Sequence, residues 1–430
     1  MPTNNVVIVD GVRTAYVKAG TLFNKLTAVE LGQIVLRELL ARTGLRAEHI
    51  DEVIVGNIAQ PPEATNVARI IALEAGLPRH IPAFTVQRNC ASGMQSIVDA
   101  YLRIQAGMAG IIAAGGVESM SNVPLLFQQT FTDKFAEFYK ARSFGQKMGA
   151  LSKLRLRDLK PVIGLQVGLT DGFCGLNMGE TAEVLAKEFH ISRKEQDEFA
   201  LMSHQRAAAS TDKGILREEI VPVLLPPDYK TVVDEDNGLR KNQTMEALGK
   251  LKPVFDRRYG TVTAGNSSQI TDGASFVLVM SEEKARSMGL TPLGRIRGFG
   301  FAGLDPERMG LGPVFSTPIA LKQAGLTMKD IQLIEMNEAF AAQVIANEKC
   351  FASKQFANEK LDRPDALGEI DRNILNVNGG AIALGHPVGS TANRLVMTLL
   401  KEMKRRDLQF GHATLCIGGG QGGAMVVERV

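Results

Sequence analysis

Along the first 120 residues, short apolar runs alternate with longer amphipathic stretches. Residues 5–10 and 51–55 have the length and β-branched content of buried strands, and residues 28–40 between them space their apolar side chains at helical intervals. This alternation predicts a mostly parallel sheet covered by helices. The last 140 residues repeat the rhythm. GLRAEHIDEVIVGN at 44–57 aligns without a gap on GLTMKDIQLIEMNE at 325–338: Ile50 falls on Ile331, Val53 on Ile334, Val55 on Met336. A helix precedes each, with Leu40 and Leu321 at the same offset, which predicts an internal duplication.

Between these halves, residues 121–259 are richer in charge and turns. They include a helix candidate at 192–213, opened by Ser192 and Glu195 at capping-box spacing. An excursion this long predicts an inserted domain. The expected organisation is therefore a first half at 1–120 completed by 260–288, an insert at 121–259, and a second half at 289–430. Within the insert, residues 133–160 hold eight Lys/Arg against three Asp/Glu, with Phe135, Phe138, Tyr139, Phe144 and Leu151 among them. A solvated pair of amphipathic helices is the plain reading. A basic surface for phosphate groups, or for peripheral contact with an anionic membrane, is the sharper one.

Composition narrows the function. A net charge of +3 on 430 residues gives no basic field for nucleic acid, and aromatics at 6% with no Trp supply no stacking platform. The four cysteines stand at 90, 174, 350 and 416, with neither metal-site spacing nor the density of a disulfide framework. The opening MPTNNVVIVDGVRT lacks a basic-then-apolar signal, the closing VVERV lacks a sorting tag, and no apolar run reaches membrane-spanning length. A cytoplasmic protein with reduced thiols and no metal is expected.

Four clusters carry candidate chemistry. In TVQRNCASGMQSIVDAYLRIQAG, 85–107, a strand runs into Asn89, a good N-cap, and the apolar spacing from Met94 to Leu102 starts a helix at about Cys90. Unpaired N–H groups and the positive end of the helix dipole then favour thiolate at Cys90. A lone cysteine is more often a small core residue, but a strand-to-helix junction flanked by Ala91, Ser92 and Gly93 favours an accessible nucleophile. In NVNGGAIALGHPVGSTANRLVMTLL, 376–400, His386 sits in a rigid turn before a helix that Ser390 can cap, a setting suited to a general base. In ATLCIGGGQGGAMVVERV, 413–430, a strand delivers Cys416 into glycines. Gly418, Gly420 and Gly423 match a dinucleotide fingerprint by spacing, but AMVVERV reads as a strand where that fingerprint needs a helix. The glycines suit backbone N–H groups aimed at an oxyanion, with Cys416 as a second proton-transfer group. In EMNEAFAAQ, 335–343, Asn337 at a strand end can hold a water or a carbonyl, and Phe340 can wall a pocket.

Taken in order and spacing, NCASGM, NEAFAAQ, GGAIALGHPVGSTANRLV and CIGGGQGGAM resemble the thiolase family along essentially the whole chain. LKPVF at 251–255, YGTVTAGNSSQITDGAS at 259–275 and NMGETAEVLAKEF at 177–189 do so too. The resemblance implies an α/β, thiolase-like five-layered αβαβα fold of two similar halves, with an inserted loop domain that holds CoA, and a homodimer or homotetramer. It implies Cys90 as nucleophile, His386 as its base, and Cys416 as the acid–base group at the acetyl carbon. Asn337 would fix a water that, with His386, binds the thioester oxygen, and the N–H groups of Cys90 and Gly418 would form a second oxyanion hole. Ser268 and Ala264 match positions along the pantetheine path, Met178 and Phe340 positions of the acyl pocket. Thiolysis of 3-oxoacyl-CoA through a Cys90 acyl-enzyme follows, with CoA a substrate and no cofactor required. The alternative within the family is an acetyl-CoA acetyltransferase acting on acetoacetyl-CoA.

Residues 133–160, 236–255 and 350–373 resemble thiolase subunits of trifunctional fatty-acid oxidation complexes, which implies a hydratase/dehydrogenase partner. Those subunits usually carry His where this chain has Asn337. A decarboxylating oxoacyl synthase on the same fold would not carry Cys416. A non-catalytic lipid-binding scaffold would have lost one of Cys90, His386 or Cys416, and this chain keeps all three.

Overall fold

The computed structural model describes residues 5–430. The first half contains strands β1 (Val6–Thr14), β2 (Glu52–Gly56), β3 (Ala83–Val86), β4 (Ile111–Glu118) and β5 (Thr271–Ser281). Its helices are α1 (Ala28–Thr43), α2 (Val67–Glu74) and α3 (Ser92–Gln105). Helices α4 (Met178–Glu188) and α5 (Arg193–Asp212) come next along the chain. The second half contains β6 (Gly294–Gly303), β7 (Leu333–Met336), β8 (Phe410–Ile417) and β9 (Gln421–Glu428). Its main helices are α6 (Gly312–Ala324), α7 (Ala341–Ala352) and α8 (Val388–Arg406).

Hydrogen bonding orders the strands β7-β8-β9-β6-β1-β5-β4-β2-β3. Outward from the β1–β6 seam, both halves repeat one scheme: an antiparallel pair, a second antiparallel pair, then a parallel one. The duplication expected from 44–57 and 325–338 is therefore a repeat of topology. Its GL dipeptides have a local cause: Gly44 and Gly325 end α1 and α6 in the left-handed conformation, at φ 65° and 71°, where a Cβ is disfavoured. Ser192 and Glu195 form the capping box anticipated for α5.

Side-chain alternation along the strands creates the layers. Val7, Val55, Phe276 and Leu278 pack with Leu31, Val35 and Ile71 of α1 and α2. Their neighbours Ile8, Ile54, Val277 and Val279 turn the other way, onto Met94 and Ile97 of α3 and Leu395 and Leu399 of α8. Leu415, Ile417, Met425 and Val427 of the second half close the far side of that same core. Ile334, Met336 and Val426 then face outward onto Val314 and Val344 of α6 and α7. The result is the five-layered αβαβα arrangement, with α3 and α8 between the sheets. Every residue of α8 from Gly389 to Leu400 is buried, so its polar side chains must find partners inside. Asn393 donates to Ala114 O at 3.1 Å, Arg394 to Glu335 at 2.8 Å and Thr398 to Glu219 at 2.9 Å, while Asn393 Oδ1 and Arg394 Nε and Nη2 stay without a protein partner.

Residues 123–170 form a compact unit of their own, whereas Asp171 onward packs with the larger unit. Leu185, Ile191 and Phe199 of that later stretch share the core of α6 and α7. The small unit contains two helices, Gln129–Lys140 and Phe144–Ser152, the second opened by a Ser143/Gln146 capping box. Phe135, Tyr139, Phe144 and Leu156 are exposed on it. Among the described residues no helix is long and apolar enough to cross a membrane.

The two central helices meet at Gly93 of α3 and Gly389 of α8. A Cβ on Gly93 of α3 would lie 2.8 Å from Asn393 N and 2.9 Å from Gly389 O; one on Gly116 of β4 would lie 2.1 Å from Gly389 O. Gly116→Ala is expected to destabilise the fold by about 3 kcal/mol, the upper range for overpacking, because the obstacle is backbone. The check is the urea midpoint against Gly303→Ala, whose added carbon meets nothing within 4 Å. Equal midpoints for the two variants would rule out so close a crossing.

Candidate active site

The crossing brings two turns together, since Cys90 stands three residues before Gly93 and His386 three before Gly389. The Cys90 turn differs from the expectation. Helix α3 begins at Ser92 with Ala91 as its uncapped N-cap residue, and Asn89 caps nothing: its backbone is left-handed at φ 42°. The Ser92 hydroxyl closes the turn instead, accepting from Arg88 N at 2.9 Å and donating to Asn89 O at 2.7 Å. Ser390 likewise lies inside the first turn of α8, where its hydroxyl bonds Tyr16 at 2.8 Å and Ser275 at 2.9 Å.

Cys90 is half-buried against the central core. Burial pushes its thiol pKa up; N–H groups of Gly418 and of Cys90 itself pull it down, and the Glu118 charge raises it again. The helix-dipole expectation of a resting thiolate is thus corrected: desolvation outweighs it, and the resting group is a thiol.

His386 is positioned by its backbone and by one ring nitrogen. Gly385 before it has φ 109°, and the His386 N–H donates to Gln269 O at 3.1 Å. Nδ1 lies 2.6 Å from Thr391 Oγ1, whose own hydrogen goes to Pro387 O at 3.1 Å. Nδ1 therefore carries the hydrogen, by assignment from the network, and Nε2 is left as the acceptor. Burial, with the Arg394 charge second, lowers the imidazole pKa to about 4, so it is neutral at rest and ready to take a proton. Asn337, directly after β7, places Nδ2 3.4 Å from His386 Nε2, and its buried Oδ1 has no protein partner.

Cys416 is buried near the end of β8, in one cluster with Phe340, Val262 and Met178. Burial raises its thiol pKa, and the proximity of Cys90 raises it further, so the two sulfurs do not ionise together. The N–H of Gly418 reaches Cys90, and a Cβ on Gly418 would lie 3.2 Å from Met178 Sδ. Met178 is the first residue of α4, set by the Asn177/Glu180 capping box, and Phe255 meets Phe340 edge-on at 6.1 Å. Ser268 donates its N–H to Ala339 O at 2.9 Å and so borders the same wall. Ala264, in the neighbouring turn, is exposed.

Sequence reading missed Glu118. This buried carboxylate accepts from Asn57 Nδ2 at 3.0 Å, Ile58 N at 3.2 Å, Ala59 N at 2.9 Å and Gly389 N at 3.0 Å. It fastens the first turn of α8 to the end of β4. Burial pushes its pKa up to about 7. The available signal was a charge closing the otherwise uncharged strand IIAAGGVE.

The buried imidazole gives acid sensitivity of known sign. Its folded pKa of about 4 lies below the ordinary 6.5, so the unfolded chain binds more protons between those values. The stability from a neutral His386 is intact above pH 6.5 and lost as pH falls toward 4. Between pH 7.5 and 4.5, His386→Gln should lose about 2–3 kcal/mol less unfolding free energy than the native chain. Parallel stability–pH curves would contradict the buried neutral ring.

Comparison with known proteins identifies the family. Residues 6–283 match the thiolase N-terminal domain model and residues 290–429 the thiolase C-terminal domain model. A 3-ketoacyl-CoA thiolase of Yersinia pestis (strain Pestoides F) is 45% identical over 426 residues, spanning 99% of this chain and 97% of the relative. The structure of the Bacillus anthracis acetyl-CoA acetyltransferase is 38% identical with a TM-score of 0.88, over 100% of this chain and 99% of that one. Human mitochondrial 3-ketoacyl-CoA thiolase in complex with CoA is 38% identical with a TM-score of 0.84, over 100% and 98%. With both halves matched in sequence and the whole chain matched in structure, the protein belongs to the thiolase family.

Proposed function

We propose that this thiolase cleaves 3-oxoacyl-CoA with CoA, giving acetyl-CoA and an acyl-CoA two carbons shorter, by way of an acyl group on Cys90. The observation that carries the reading is the convergence of the Cys90 turn and the His386 turn on the Gly93–Gly389 crossing, with His386 Nε2 left as an acceptor beside Asn337 Nδ2. His386 takes the thiol proton as Cys90 Sγ adds to the 3-oxo carbon. The C2–C3 bond breaks, and the departing enolate of acetyl-CoA takes the proton of Cys416. A thiol with a raised pKa holds that proton until a carbanion needs it. Between the half-reactions the His386 proton passes to the Cys416 thiolate; CoA then resolves the acyl-enzyme, its thiol proton passing through the freed His386 to the departing Cys90 sulfur. The N–H groups of Cys90 and Gly418 serve one oxyanion, and Asn337 with His386 serves the enolate oxygen through a bound water.

Met178 and Phe340 line the acyl pocket in this reading, with Ser268 and Ala264 on the pantetheine path. The half-exposed edge strand β3 suits pairing with a second copy in a homodimer, itself able to pair into a tetramer. A hydratase/dehydrogenase partner in a cytoplasmic complex is the wider setting proposed.

Thiolysis rates on acetoacetyl-CoA and on C8 and C16 3-oxoacyl-CoAs test the substrate assignment. Equal or faster turnover of the longer chains is expected; activity confined to the C4 substrate would instead make the protein an acetyl-CoA acetyltransferase. Asn337→Ala should lower kcat roughly 10²-fold, the cost of one oxyanion donor, with KM little changed.

A second reading concerns the unit at 123–170. Phe135, Tyr139 and Phe144 are exposed in a stretch where basic residues outnumber acidic ones, a combination suited to peripheral contact with an anionic bilayer. The protein should co-sediment with phosphatidylserine-containing vesicles at low salt and be released at high salt. No co-sedimentation at low salt would leave only a solvated helix pair.

A further inference from the structure

The turn before Cys90 contains a non-glycine residue in the left-handed region, Asn89 at φ 42°. Such a backbone is uncommon, and Asn is among the few residues that tolerate it. Its side-chain amide is held at both ends. Oδ1 accepts from Gln87 Nε2 at 3.1 Å, and Nδ2 donates to Gly418 O at 2.7 Å. The N–H of that same Gly418 points at the Cys90 sulfur. The next residue, Gly419, has φ 88°, and its N–H joins those of Phe173 (2.8 Å) and Cys174 (2.9 Å) around the Asp171 carboxylate. The peptide linking Gly418 to Gly419 is thus gripped through its carbonyl by Asn89 and through its N–H by Asp171.

A run of three glycines has wide conformational freedom, so Gly418 by itself has no fixed direction for its N–H. We propose that Asn89 is a positioning residue: its bond to Gly418 O aims the Gly418 N–H so that it converges with the Cys90 N–H on the oxygen that becomes negative during acyl transfer. The residue choice is doubly determined. Asp and Gly accept the left-handed backbone, but a carboxylate would repel the Gly418 carbonyl and a hydrogen would leave it free. The inference rests on Cys90 as the acyl-carrying nucleophile.

Two reactions of the same thiol separate this role from a general effect on Cys90. With acetyl-CoA, the sulfur–carbon bond forms through a tetrahedral oxyanion, the bond from that carbon to the CoA sulfur breaks, and the Cys90 proton leaves with CoA through His386. With iodoacetamide, the sulfur displaces iodide and no oxyanion arises. Asn89→Gly keeps the backbone accessible and removes only the clamp. Acetylation of Cys90, read as the burst of CoA released, should fall about 10- to 100-fold, somewhat less than deletion of a donor. Alkylation should stay within about twofold. Asn89→Asp should show the same split, and provides the measurement if the glycine variant loses its native circular dichroism. Native acetylation rates in the folded variant, or equal losses in both reactions, would overturn the inference. Failure of the native enzyme to carry acetyl on Cys90, by peptide mass mapping, would instead overturn the thiolase mechanism beneath it.

Discussion

Everything in this protein depends on how closely α3 and α8 approach each other between the sheets. Two buried helices with ordinary side chains at their contact keep their axes about 8–10 Å apart. Here Gly93, Gly116 and Gly389 leave backbone facing backbone, and Gly56 does the same beneath Ser92. The closeness matters because each helix begins at a turn with a reactive side chain. A bulkier contact would separate Cys90 from His386 without disturbing either turn, leaving the residues present and the chemistry absent.

Close approach requires polar groups to be buried, and that sets the electrostatics. Glu118 has no cationic partner among the described residues; four N–H donors satisfy it, one from the first turn of α8. Arg394 meets Glu335 below His386, and burial still pushes Glu335 up to about 8. Desolvation therefore dominates the site and favours neutral forms: a thiol at Cys90, a free imidazole at His386, a second thiol at Cys416. In the mechanism proposed, charge appears only when the substrate carbonyl accepts it, at the N–H groups of Cys90 and Gly418. A resting thiolate–imidazolium pair would have placed the negative charge on sulfur in advance, at the desolvation cost that this arrangement avoids.

The alternation of elements was legible in the sequence, but the mostly parallel sheet it predicted is mostly antiparallel, with five antiparallel and three parallel pairings along the strand order. The strands at 5–10 and 51–55, the capped helix at α5 and the repeat of GL-x4-I announced two equivalent halves, because each rests on local spacing. The turns that hold the proposed reactive residues were legible because glycine, proline and small neighbours marked them. What escaped was non-local. Nothing in QRNCAS tells whether Asn89 caps a helix or crosses to Gly418, since that partner lies on another strand. Position relative to a helix start suggested a thiolate at Cys90, but burial depends on Glu118 and Gly418 from distant segments. Of the stretch 121–259, composition conveyed a change of texture and not where packing changes partner, which occurs at Asp171.

The duplication also explains how one site acquired two different chemistries. Cys90 and His386 each precede by three residues the glycine at which their helix enters the crossing, so the proposed nucleophile and base occupy matching places in the two halves. Pairing of β2 with β4 sets Val53 beside Ala113, and pairing of β7 with β8 sets Ile334 beside His412. Since Val53 and Ile334 are equivalent, Gly56 corresponds to Asn337, and Val117 and Glu118 to Cys416 and Ile417. At the first of these places Gly56 admits the α3 backbone in one half while Asn337 supplies an amide in the other; at the next, Glu118 ties down the first turn of α8 one residue beyond the position equivalent to Cys416, which supplies a second thiol. A symmetric pair of halves could fill these places twice with supports or twice with reactive groups. Dividing them lets a rigid frame and a reactive centre share the same few ångströms.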